Sequence, residues 1–205
     1  MTGCSCEMEA RDERERRTLA IVLGINAFMF VVELVLGLVA ESTGLVADSL
    51  DMLADASVYA IALYAVGKGP ELKVKAAMTN GGLQVVLASA VLIDVGRRWL
   101  YGSEPVSALM MGVGVVALVA NCVCLALIYR RREGGVHMRA LVICSSNDVL
   151  ANLGVIVSGA LVWATGSRYP DLAIGLIIGA VVLYGGVRII AEARAQRAHW
   201  ALVGG

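Results

Sequence analysis

Residues 46–57 read Val46-Ala-Asp-Ser-Leu-Asp-Met-Leu-Ala-Asp-Ala-Ser57, three aspartates set into a run, residues 43–67, otherwise apolar enough to cross a bilayer. An aspartate at the centre of a membrane helix costs about 2.5 to 3.5 kcal/mol on insertion, so three in one span require a chemical reason. Asp51 and Asp55 are one helical turn apart, so their side chains leave the same face about 5 to 6 Å apart at Cβ. That separation suits two ligands of a single cation. Asp48 lies nearer the end of the run, where water or backbone offers an alternative partner.

Apolar runs of about 20 residues recur on either side, near 18–40, 74–96, 106–128, 140–164 and 170–190, predicting an all-α polytopic membrane protein of six transmembrane helices. Turn chemistry or charge separates them: Glu41-Ser-Thr-Gly, Lys68-Gly-Pro-Glu, Tyr101-Gly-Ser-Glu-Pro, Arg130-Arg-Arg-Glu-Gly-Gly and Thr165-Gly-Ser-Arg-Tyr-Pro. Composition agrees: 59% of residues are hydrophobic and the mean hydropathy is +0.77, too apolar for a soluble core. An aromatic content of 5% beside 23 glycines favours close-packed helices over a barrel with aromatic girdles. The zero net charge argues against nucleic acid as a partner. Fourteen of the 17 Lys and Arg residues fall on one side of a six-span chain, which predicts both termini in the cytoplasm and a multi-pass protein of the inner cell membrane. The polar segment Cys6 to Arg17 does not resemble a cleavable signal, so the first span is expected to persist. The chain thus divides into a cytoplasmic N-terminal segment (1–17), a six-helix transmembrane domain (18–192) and a short cytoplasmic tail (193–205), too short for a folded domain.

The fifth span repeats the spacing of the second: Cys144 and Asp148 in Ile143-Cys-Ser-Ser-Asn-Asp-Val-Leu-Ala-Asn152 are again one turn apart. Two such pairs on facing helices supply four donors, the coordination number tetrahedral zinc prefers. Asp51, Asp55, Cys144 and Asp148 are therefore the candidate metal ligands. Three carboxylates and a thiolate outweigh the charge of one divalent ion, so an empty site should hold protons and shed them when metal arrives. Glu33, Asn26, Asp94, Asn121, Asn147 and Asn152 lie in or beside spans and are candidate pathway residues, as is Asp48, although interhelical hydrogen bonding is the commoner role of membrane Asn. Five cysteines form no disulfide framework and are read as thiols. Cys122 and Cys124 point to different helix faces, whereas Cys4 and Cys6, two residues apart beside Glu7, could grip one soft ion.

Asn26, Glu33, Gly37, Ser42, Leu45, Ala47, Asp48, Asp51 and Asp55 together resemble the first two helices of the cation diffusion facilitator transporters, exporters of divalent metals. Cys144-Ser-Ser-Asn-Asp148-Val-Leu-Ala-Asn152-Leu-Gly-Val resembles their fifth helix, with Cys144 where His is usual. The resemblance covers roughly residues 20 to 192. It implies proton-coupled antiport of Zn2+ or Cd2+ by alternating access, a homodimer, and metal as cargo with no prosthetic group. The chain looks like a short member without the cytoplasmic C-terminal domain on which many members dimerise. An intramembrane aspartic protease would also need two membrane aspartates, but its Gly-x-Gly-Asp and Tyr-Asp signatures are absent. A membrane metal sensor would need a soluble output domain, and none follows the sixth span.

Overall fold

The computed structural model describes residues 13–64, 70–130 and 136–203. They form six helices: α1 (Glu13–Val39), α2 (Thr43–Tyr64), α3 (Pro70–Tyr101), α4 (Ser107–Tyr129), α5 (Val136–Thr165) and α6 (Tyr169–Val203). Five are long and apolar enough to cross a membrane on composition alone: Arg16–Val39, Val74–Tyr101, Ser107–Tyr129, Leu141–Thr165 and Tyr169–Ala195. The sixth, α2, has the length, 22 residues or about 33 Å, but carries Asp48, Asp51 and Asp55. The outward surface is apolar (Phe28, Val31, Ile93, Leu161, Leu176) while the buried set includes Glu33, Asp48, Asn80, Gln84, Asn121, Asn152 and Ser158. Apolar outside and polar inside is the arrangement lipid requires. The chain is a polytopic membrane protein whose described residues form an all-α bundle of six helices. Several helices outrun their spans; α6 continues through residues 193–203, because Ala-Glu-Ala-Arg-Ala-Gln-Arg-Ala is a strong helix former once a span has nucleated it.

The most extensive helix contacts are α3 on α6, α1 on α2 and α4 on α5, and α2 also packs against α6 and α3. Gly81 and Gly186 let α3 and α6 approach until a Cβ on either would lie 2.9 Å from the other's carbonyl oxygen. Leu45, Leu50, Val91, Met110, Val155 and Ile178 belong to one apolar core towards the end bearing the α1–α2 turn. Leu19, Val22, Tyr59, Cys124, Ile128 and Leu141 form a second at the opposite end.

Candidate metal centre

The placement of α2 begins at its first turn. α1 ends in a Schellman-type reversal in which Glu41 takes a positive φ of 49° and Ser42 N–H donates to the Gly37 carbonyl at 3.0 Å. Ser42 then caps α2, its Oγ accepting from Leu45 N–H at 3.1 Å. The remaining free donors of the first turn are taken by a residue the sequence analysis did not single out. Asp171, wholly buried near the start of α6, accepts from Thr43 N–H (2.7 Å), Gly44 N–H (3.0 Å), Ser42 Oγ–H (2.6 Å) and Thr43 Oγ1–H (2.7 Å). Gly175, one turn further along α6, has no side chain because Thr43 fills that space; a Cβ there would lie 2.9 Å from Thr43 Cβ. In sequence Asp171 looks like an ordinary acid in a helix's first turn. The only hint of its role was the set of unfulfilled donors at Ser42-Thr-Gly44.

With its start pinned, α2 carries Asp48, Asp51 and Asp55 towards α5. Asn152 Nδ2 donates to the Asp148 carbonyl at 2.8 Å and, more weakly, to Asp48 Oδ1 at 3.4 Å. Asp55 and Asp148 lie within hydrogen-bonding range of one another, and Tyr59 Oη donates to Asp55 Oδ2 at 3.1 Å. The neighbouring charges that act on Asp51 are those of Asp55 and Asp48, so the acids form one electrostatic unit. Asp51 and Asp55 are half-buried and Asp148 is 9% exposed. Cys144 is buried; two turns before Asn152 in an antiparallel pair, it falls near the level of about residue 56, at the turn of α2 that bears Asp55.

Not every expected arrangement is present. Cys122 and Cys124 are free thiols, the first exposed and the second buried. Among the described residues no three His, Cys, Asp or Glu side chains form a group that could close on an ion as placed. Asp94 is no pathway residue: it pairs with Arg97 at 2.8 Å and Arg98 at 2.5 Å, and Arg98 continues to the Glu41 carbonyl. Asn147 is exposed. Asn26 is buried, donating to the Val22 carbonyl at 2.9 Å and to Cys124 Sγ at 3.7 Å. Glu33 is wholly buried and faces Asp48. Cys4 and Cys6 lie outside the described residues.

Residues 19–196 match the profile of the cation efflux transmembrane domain. The chain belongs to the cation efflux family. This cation efflux chain is 26% identical over 179 residues to the metal cation efflux system protein CzcD of Cupriavidus metallidurans, a match covering 82% of this chain and 57% of CzcD. It is 22% identical over 196 residues to the zinc transporter ZitB of Yersinia pseudotuberculosis, covering 89% of this chain and 62% of ZitB. The chain thus spans about three-fifths of the length of these relatives. The match lies on the same six helices that carry the acids, identifying them as the family's membrane domain.

Proposed function

We propose that this cation efflux chain exports Zn2+ or Cd2+ in exchange for protons, by alternating access around Asp51, Asp55, Cys144 and Asp148. The observation that carries the reading is the meeting of Asp55 on α2 with Asp148 on α5 inside a bundle that belongs to a cation efflux family. The names of the relatives, a metal cation efflux protein and a zinc transporter, support the choice of cargo. Small side-chain rotations would converge the acids on an ion, with reduced Cys144 as the fourth donor; cytosolic conditions keep such thiols reduced. Metal neutralises acids that otherwise hold protons, so binding releases protons and the inward proton gradient drives export. The excess of Lys and Arg in the terminal segments and in the loops after the second and fourth spans supports a cytoplasmic position for both termini. The protein works as a homodimer in the inner membrane.

The deciding experiment is flux in proteoliposomes with an imposed pH gradient, comparing Zn2+, Cd2+, Mn2+ and Mg2+. Zinc and cadmium should move only when the gradient is present, and manganese and magnesium should not move. Metal movement indifferent to the gradient would overturn the antiport reading, and no movement of any ion would overturn transport itself.

A further inference from the structure

Asn121 on α4 is 1% exposed, and its Nδ2 has no acceptor among the described residues. Burying an amide N–H2 without a partner is costly, so its place in the bundle calls for a reason. Contacts with three helices fix its height. Against α5, a Cβ on Gly114 would lie 2.9 Å from Ile156, and one on Gly159 would lie 3.0 Å from Met110. In that antiparallel register Asn121 falls level with Asp148. Against α1 and α2, Ala117 packs with Met29 and Met52, while Cys124 accepts from Asn26 Nδ2 at 3.7 Å and shares a core with Tyr59. Asn121 lies between Ala117 and Cys124 on one face of α4, and Asp55 lies between Met52 and Tyr59 on one face of α2. The amide therefore stands at the height of both Asp55 and Asp148, although none of the four proposed ligands is on α4. The charges of these two acids also reach Cys124, one turn along α4 from Asn121.

We propose that Asn121 is a positioning residue of the metal centre, its amide N–H2 donating to the Asp148 carboxylate when metal draws the acids together. It does for the α5 carboxylate what Tyr59 does for Asp55, whose Oδ2 accepts from Tyr59 Oη at 3.1 Å. A donor on one carboxylate oxygen fixes the plane of the group and leaves the other oxygen to the ion. The amide is uncharged, so it orients the acid without repelling the cation. Its N–H2 waits without an acceptor until the acids converge, and the cost of that vacancy is recovered on binding.

The inference rests on the metal centre proposed above, and its test separates the two. Zn2+ affinity is measured by titration calorimetry on the full chain in detergent, and the melting temperature is read without metal. The variants are Asn121→Leu, Asn121→Thr, Asn121→Asp, Asp148→Ala, and a double variant carrying Asn121→Leu with Asp148→Ala. Asn121→Leu should weaken zinc binding about 10- to 100-fold, the usual effect of losing a partner of a metal ligand. Its metal-free melting temperature should be unchanged or raised, because apolar volume replaces an unpartnered amide. Asn121→Thr keeps a donor and should recover part of the affinity, whereas Asn121→Asp fills the same volume without the N–H2 and should bind as weakly as Asn121→Leu. In the double variant Asn121→Leu should add no further loss, since its partner is already gone. Unchanged zinc affinity in Asn121→Leu, with Asp148→Ala weakened, would overturn the role of Asn121 and leave the metal centre standing. Tight binding by Asn121→Asp would also overturn it, making the side-chain oxygen a ligand. Wild-type affinity in Asp148→Ala, or no zinc binding by the wild type, would remove the metal centre itself and this role with it.

Discussion

α2 touches two kinds of buried carboxylate, and the bundle treats them in opposite ways. At its first turn Asp171 collects two backbone N–H groups and two hydroxyls, four donors for one carboxylate. Further along α2, Asp48 has one long contact from an amide and Asp55 one hydroxyl donor, while Glu33 on α1 has no donor among the described residues. A carboxylate saturated with donors is a structural clamp and has no lone pair left for an ion. One left without donors is costly to bury and is relieved by a proton or a cation. The difference in donor supply, not burial, separates the clamp from the centre.

The largest effect should come from the donor-poor acids. Asp51→Ala and Asp148→Ala should each lower metal flux in proteoliposomes by more than about 100-fold, the upper end of what losing even an outer-shell partner does. Neither should lower thermal stability, because each also removes a buried charge. Near-wild-type flux in either variant would break the contrast for that residue. Asp171→Ala should do the reverse: a loss of about 3 kcal/mol, read as a lower melting temperature in detergent, because Thr43 and Gly44 N–H groups lose their acceptor. Asp171→Asn should recover part of it. A melting temperature unchanged by Asp171→Ala would show that the clamp is dispensable.

Smaller effects sharpen the picture at Cys144. Under reducing conditions, Cys144→His should keep zinc flux while lowering the preference for cadmium over zinc, since imidazole is harder than thiolate. Cys144→Ala should impair both ions and Cys144→Ser should lie closer to Ala. Unchanged rates and preference in Cys144→Ala would make the residue one of packing. The least effect should follow Glu192→Gln, whose carboxylate pairs at 2.8 Å with Arg188 in a partly exposed i, i+4 arrangement. Its melting temperature should reflect less than about 1 kcal/mol, since exposed pairs contribute little.

The sequence by itself determined the number of spans, their limits to within a few residues outside the polar extensions, and the two i, i+4 pairs in α2 and α5. Those are properties of single helices, set by apolar run length and by the 3.6-residue turn. Which side of each helix turns inward was less legible, because lipid and protein core are equally apolar and hydrophobic periodicity loses its contrast in a membrane. Only the tertiary structure decided that Asp171 caps a helix that starts 128 residues earlier, that Asp94 belongs to Arg97 and Arg98, and that Glu33 faces Asp48. Each of these outcomes depends on how one helix is rotated and shifted against another, a choice made by side-chain packing between segments far apart in the chain.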